Sequence, residues 1–204
     1  MKAALAVIAV LLILALIFGS MYAGRRNEMV RLNEDVKSKW AQVDVVLQRR
    51  ADLIPNLVAT VQGFAAHEET VLDDIAKART QYMNAQTPAD KIAASNQIAP
   101  LVLKVLALSE NYPQLKSNEN FLRLQDELAG TENRIAVARK NYNDSIQSYN
   151  TYIGQFPNSL FAGWAGYKRN DAYFQASPAS REVPKVQFPS ATPTPAPAPA
   201  PTKK

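Results

Sequence analysis

The sequence predicts an all-α membrane protein. A single N-terminal transmembrane helix is followed by an elongated antiparallel helical bundle of about four long helices, and then by an extended C-terminal tail. Three observations carry that expectation. Residues 3–24 hold no charged side chain, and about 22 residues rising ~1.5 Å each make roughly 33 Å of helix, enough for the hydrocarbon core of a bilayer. Beyond them, apolar residues return every three or four positions as far as Phe156, the period of a helix with one buried face. Glycine, at 7 residues in 204, is scarce for a β protein built on tight turns. The chain divides accordingly into an anchor (1–24), a bundle (25–157), an aromatic segment (158–188) and a Pro/Ala-rich tail (189–204).

The apolar head competes with a cleaved signal peptide, which needs small residues one and three positions before the cut. Cuts after Ser20, Ala23 or Gly24 would place Phe18, Met21 or Tyr22 at the outer of these positions, and all three are too large. The chain has no Cys, which removes a lipoprotein anchor, a disulfide framework and any thiolate site. An uncleaved single-pass anchor is the expectation. Only Lys2 precedes it, whereas Arg25, Arg26, Arg31, Lys37 and Lys39 follow. That asymmetry leans towards a cytoplasmic bundle. A short basic N-terminus ahead of an apolar run also opens an export signal, so the side stays open.

Leu32, Val36, Trp40, Val43 and Leu47 form one helical stripe, with no breaker between it and the anchor except Gly19 and Gly24. The bundle is therefore expected to rise from the bilayer on a continuous helix. Pro55 lacks a backbone donor and crowds the preceding turn, which predicts a kink there rather than a restart. Asn56 is placed to satisfy the backbone groups that Pro55 frees. Ile54, Val58, Val61, Ala65, Leu72, Ile75 and Tyr82 continue the helical spacing past it. Thr87 and Pro88 read as cap and first position of a third helix running to about Asn111, with Pro100 bending it.

Ser117 or Asn118 opens the longest helix, with Glu119 in its first turn, where the helix dipole favours an acid. Phe121, Leu124, Leu128, Ile135, Tyr142, Tyr149 and Phe156 line up along it as a heptad-like seam that Pro157 stops. Residues 158–176 are aromatic and interrupted by Gly, with Phe161 and Trp164 among them. This segment either closes the bundle as a short amphipathic helix or touches a membrane surface or a neighbouring subunit. Residues 182–188 read as extended, and residues 189–204 as a solvated polyproline spacer.

Several stretches resemble the LemA family of bacterial membrane-anchored proteins. They are WAQVD at Trp40–Asp44, RRADLIPNLVATVQGFAAHE at Arg49–Glu68, YPQLKSNENF at Tyr112–Phe121, and shorter matches through Glu132-Asn133-Arg134-Ile135, Tyr142-Asn143 and Tyr149-Asn150 to Phe156-Pro157. Together they cover nearly all of residues 30–160. The resemblance implies an anchor in the bacterial cell (inner) membrane and an elongated helical bundle. It supplies no reaction, and it does not extend to the tail.

The residues carry no complete catalytic set. His67-Glu68 invites a metalloprotease reading, but that chemistry needs a second His one turn on, and position 71 is Val. His67 is the chain's only His, so its expected role, with Glu68, is polar contact between helices or subunits. Arg49, Arg50 and Asp52 read either as an ion-pair group fixing the bend or as an interface to Asp73 or Asp74 of a neighbouring copy. Asn133, Asn141, Asn143 and Asn150 are many amides for one helix, and one or two are expected to be buried and to set register. Glu132 and Arg139 read as surface partners.

The net charge of +5 suits lipid headgroups, while no dense basic face with interleaved aromatics points to nucleic acid. No cofactor is expected. The interface and structural candidates are Trp40, Arg49, Arg50, Asp52, Pro55, Asn56, His67, Glu68, Tyr142, Tyr149, Phe161 and Trp164. The expected function is a non-enzymatic, membrane-anchored scaffold that binds lipid and self-associates into a homo-oligomer, a ring or shell. The alternatives are an adaptor for another membrane protein, such as a protease or chaperone, and a metal-dependent hydrolase around His67.

Overall fold

A computed structural model describes residues 2–175. The expectations for residues 182–188 and 189–204 lie outside the described residues. α1 is one helix of 61 residues, Lys2–Gln62, roughly 90 Å long at ~1.5 Å per residue. Its most apolar window has a mean hydropathy of 2.9 and is 0% buried. A stretch that is apolar on every side and that its own fold leaves uncovered, apart from the contact of Phe18 with Phe161 and Trp164, is suited to lipid. From Met29 onward α1 buries the predicted stripe, including Leu32, Val36, Val43 and Leu47. Gly19 and Gly24 lie inside the helix, so the bundle does rise on a continuous α1.

α1 runs through Pro55 without a restart. Pro55 has no N–H, so the carbonyl of Ala51, one turn earlier, loses its helical donor. Arg79 of the next helix supplies the missing hydrogen bond: its Nε donates to the Ala51 carbonyl at 2.9 Å. This corrects the assignment to Asn56. That side chain stands on the exposed face of α1, while Arg79 approaches from the packed side.

The helical spacing also suggests a run as far as Tyr82, and the structure breaks it. α1 stops at Gln62, residues 63–68 turn, and α2 (Glu69–Asn84) folds back. Gly63 and the acids Glu68, Glu69, Asp73 and Asp74 mark the break, because acids collect where a new helix begins.

α3 (Pro88–Ala107) begins as predicted: the Thr87 hydroxyl accepts from the Asp90 N–H at 3.2 Å, and Pro88 is its first residue. It ends at Ala107, four residues before Asn111, and gives way to a 3-10 turn at Leu108–Glu110. Together, α3 and that turn (Pro88–Glu110) are also apolar and long enough to cross a membrane, with a mean hydropathy of 1.4 in their most apolar window, but 33% of that window is buried. Lys91 at the start of α3 pairs with Asp44 of α1 at 2.6 Å and ties it to the bundle.

After the short α4 (Pro113–Lys116) comes α5 (Glu119–Gly154), capped by Asn118, whose side chain accepts from the Phe121 N–H at 3.0 Å. Its 36 residues make it second in length to α1. Leu128, Ile135, Tyr142 and Tyr149 are buried at steps of seven, as predicted. The stripe stops at Ile153. Phe156, expected as its last member, lies beyond the end of α5 and is 82% exposed.

Side-chain pairs fix the topology. Trp40 meets Tyr142 and Arg50 meets Glu132, so α5 is antiparallel to α1. Asp44 meets Tyr82 and the Ala51 carbonyl meets Arg79, so α2 is also antiparallel to α1. Asp44 meets Lys91 and Arg50 meets the Ser95 carbonyl, so α3 runs parallel to α1. The turn at 63–68 and the connection around α4 therefore share the end far from the apolar head. From Arg25 to Gln62 the helix rises about 55 Å. α6 (Asn158–Ala165) lies at the opposite end, against both α1 and α5.

Candidate functional site

Three groups of side chains concentrate the polar interactions of this fold. The first surrounds Arg50. Residues 49 and 50 point about 100° apart around a helix, and residues two apart do not face each other. Arg49 and Asp52, three apart, do share a face, but each takes another partner, so the three residues form no ion-pair group. Asp52 accepts from Gln48 at 2.8 Å, and Arg49 reaches across to Glu127 of α5 at 2.8 Å. Arg50 turns inward and is only 2% exposed. It donates to Glu132 of α5 at 3.0 Å and to the backbone carbonyl of Ser95 in α3 at 2.9 Å.

Burial pulls the pKa of the Arg50 guanidinium below the usual arginine value, and the Glu132 charge opposes that shift. Arg139 stands beside it, its pKa also lowered by burial first and by the Arg50 charge second. The Arg139 guanidinium lies 4.8 Å from the centre of the Phe174 ring, a cation–π contact. Glu132 and Arg139 thus belong to an interhelical cluster, which corrects their reading as surface partners. A cleft of about 400 Å³ opens between α3 and α5 beside Arg50, with Val102, Leu106 and Leu128 among its walls.

The second group is the distal tip. Tyr112, just before α4, donates its hydroxyl to Glu68 at 3.1 Å. That hydrogen bond raises the Tyr112 pKa. Two of the stretches that carry the family resemblance, far apart in sequence, meet in this contact. Phe64 and Tyr112 help line a shallow pocket of about 300 Å³. His67 is exposed in the turn rather than set in a helix. Among the described residues, no group of three or more His, Asp or Glu side chains is arranged to hold a metal ion.

The third group clamps residues 170–174 along α5. Asn150 donates to the Asn170 carbonyl at 2.7 Å and accepts from the Asn170 N–H at 2.9 Å. Asn143, two turns earlier, does the same with Phe174, at 2.9 and 3.0 Å. Each carboxamide thereby satisfies both backbone groups of one residue in a segment that belongs to no helix. The amides hold a strap rather than helix register, and Asn133 and Asn141 are exposed. Phe174 packs within 6.4 Å of Trp40 and 6.0 Å of Tyr142, while the Tyr149 hydroxyl donates to the Lys168 carbonyl at 2.9 Å. Trp40, Tyr142 and Tyr149 are thus brought together under the strap. Phe161 and Trp164 stand apart from them on α6, against the head of α1.

Sequence reasoning missed Arg79, Ser95 and Phe174. Pro55 offered a signal for Arg79, because a freed carbonyl requires a donor. Nothing local marked the other two.

An apolar helix that continues as the central member of a bundle, keyed to its neighbours by contacts such as Arg50 with Glu132 and Arg79 with the Ala51 carbonyl, defines a membrane-associated helical-bundle protein. The chain belongs to the LemA family, whose sequence model matches residues 39–188. Magnetosome protein MamQ 2 of Paramagnetospirillum magneticum is 28% identical over 202 residues, covering 86% of this chain and 73% of its own. Magnetosome protein MamQ of Magnetospirillum gryphiswaldense is 26% identical over 181 residues, covering 76% of this chain and 66% of its own. Protein LemA of Metamycoplasma hominis is 25% identical over 166 residues, covering 81% and 75%.

Proposed function

We propose that the protein is a non-enzymatic scaffold of the bacterial cell membrane, anchored by a single pass of α1, whose bundles associate laterally with other copies. The observation that carries this reading is the continuity of α1 from its apolar head to the tip. One uninterrupted helix fixes the direction in which the bundle leaves the membrane. Copies anchored in the same bilayer then present the same flanks at the same height, and confinement raises their effective concentration. The flanks carry apolar side chains outside the core: Val45 on α1, Leu103 on α3 and Val137 on α5. The polar clusters are engaged in joining helices, which favours a structural role over catalysis.

The test is the mass of the full chain in mild detergent, by light scattering, with negative-stain images of the same fraction. A large uniform particle that Val45→Glu or Val137→Glu disperses supports the scaffold. A monomer or dimer at all concentrations overturns it. Arg50→Glu is unsuitable as an interface probe, because Arg50 is buried within one chain.

A second reading rests on the distal tip. Phe64, His67 and Tyr112 are displayed about 55 Å from the start of the bundle, where an adaptor would meet another membrane protein. Copurification of one stoichiometric partner that is lost in Tyr112→Ala, from a chain monomeric on its own, would favour it.

A further inference from the structure

No charged residue occurs between Asp144 and Lys168. The end of α5 and the whole of α6 fall in that interval. α6 packs on α1 at the level of the apolar head. The Phe161 ring lies 5.6 Å from Phe18 and 5.7 Å from Tyr22, and Trp164 lies 6.4 Å from Phe18. Phe18 is about 10 Å of helix below Arg25, the first charge of α1 after the span. α6 therefore reaches past the last charges of the bundle and alongside the final turns of the uncharged segment.

α6 has two distinct sides. Asn158, Phe161 and Ala162 are buried. Leu160 and Trp164, with Phe156 just ahead of the helix, recur four residues apart and face outward, at 52%, 69% and 82% exposure. Ser159 and Gly163 complete an outer face without a charge. Contiguous exposed apolar surface marks a contact, and its position identifies the occupant. The patch is continuous with the exposed apolar surface of α1 around Ile17, Phe18 and Met21, which lipid covers if α1 spans the bilayer. Arg25 and Arg26 follow the span on α1, and Lys168 and Arg169 follow the left-handed Gly166 that ends α6.

We infer that α6 is an interfacial membrane helix, with Phe156, Leu160 and Trp164 inserted at the boundary between headgroups and acyl chains. Arg25, Arg26, Lys168 and Arg169 meet the lipid phosphates just outside. Helices of this kind sit roughly 5–10 Å into the boundary, the depth that contact with Phe18 requires. Aromatic side chains, tryptophan above all, favour that layer. The inference rests on reading residues 3–24 as a bilayer span. It adds a second membrane contact to the anchor, so that the orientation of the bundle is set by two elements rather than one.

The test uses the full chain reconstituted in phosphatidylcholine liposomes. The sequence has two Trp residues, so Trp40→Phe leaves Trp164 as the only reporter. The difference spectrum between the wild-type chain and Trp164→Phe gives the same signal with Trp40 retained. The expected result is blue-shifted Trp164 emission, quenched at least twofold by lipids brominated on the acyl chain and little affected by aqueous iodide. A Trp40→Phe/Trp164→Phe/Leu11→Trp variant reports on the span itself. If the Leu11→Trp reporter is quenched by bromine while Trp164 emits as in water and is quenched by iodide, the interfacial helix is overturned and the anchor stands. If neither reporter senses bromine, the anchor reading fails and the inference falls with it.

Discussion

Replacing Asn150 with Leu should release the strap at residues 166–175 while leaving the helices in place. Asn150 is buried and makes three hydrogen bonds to the strap: two with the backbone of Asn170, at 2.7 and 2.9 Å, and one with the Tyr173 hydroxyl, at 3.0 Å. Leu has a similar size but makes none of them. A hydrogen bond contributes a net ~0.5–1.5 kcal/mol, so three place the loss at about 2–4 kcal/mol. At ~1.4 kcal/mol per factor of ten, the docking equilibrium of the strap falls roughly 30- to 700-fold.

Lys168 and Arg169 lie on this segment, so limited trypsin digestion reads its opening directly. Where opening and closing are fast relative to cleavage, the cutting rate follows the open population. Cleavage after Lys168 or Arg169 should rise at least tenfold in Asn150→Leu, with unchanged helix content by circular dichroism. Asn141→Leu, at an exposed position of the same helix, is the control. A cutting rate within twofold of the parent would show that the amide clamp does not hold the strap. Loss of helix content together with faster cutting would show that strap and bundle open as one unit, and would refute their separation.

Other perturbations test the interhelical contacts. Arg79→Ala leaves the Ala51 carbonyl without a partner and should cost about 1–2 kcal/mol in denaturant unfolding. Pro55→Ala restores the helical N–H and should recover most of that loss, so a double-mutant cycle without coupling would refute the exchange. Arg50→Ala should cost about 2–4 kcal/mol through lost packing and the loss of its hydrogen bonds to Ser95 and Glu132. Arg50→Met should cost less. Glu132→Gln should cost under ~1 kcal/mol, because Glu132 is 51% exposed.

Burial, with the Asp44 charge second, pushes the Tyr82 phenol well above the usual tyrosine value. Above about pH 10 the unfolded chain loses that proton first, so the folded state binds more protons and stability falls as pH rises. Below that pH the contribution is fully present. Unfolding midpoints across this alkaline range should therefore fall less for Tyr82→Phe than for the parent.

The architecture was legible because it rests on local signals. An uncharged run the length of a bilayer, a stripe at helical spacing, and caps at Thr87 and Asn118 are all written in neighbouring residues. The break after Gln62 was hidden because apolar spacing happens to stay in phase across the turn, from Val61 through Ala65 to Leu72, all of them buried. Two antiparallel helices that bury the same kind of stripe can mimic one long helix. The polar contacts were less legible, for a different reason. Arg50 with Glu132, Arg79 with the Ala51 carbonyl, and Asn150 with Asn170 join residues far apart in sequence. Residue type alone cannot choose among the many possible partners.

Those distant contacts converge on the stretch of α1 from Asp44 to Pro55. Asp44 receives the Tyr82 hydroxyl from α2 and the Lys91 ammonium from α3. Arg50 joins α3 through the Ser95 carbonyl and α5 through Glu132. Ala51 offers α2 the carbonyl that Pro55 releases. Within about two turns of α1, each of the other three long helices is keyed to it by a directional contact. Apolar burial does not by itself fix how far one helix slides along another, since stripes of similar side chains pack in more than one register. The Arg50 guanidinium, held by the Ser95 carbonyl and Glu132, and the released Ala51 carbonyl, held by Arg79, each lose those partners if a helix slides. The Arg-Arg-Ala-Asp-Leu-Ile-Pro run therefore reads as the node that sets the register of the bundle. Its proline frees the Ala51 carbonyl from its helical donor, and Arg79 of α2 takes that place.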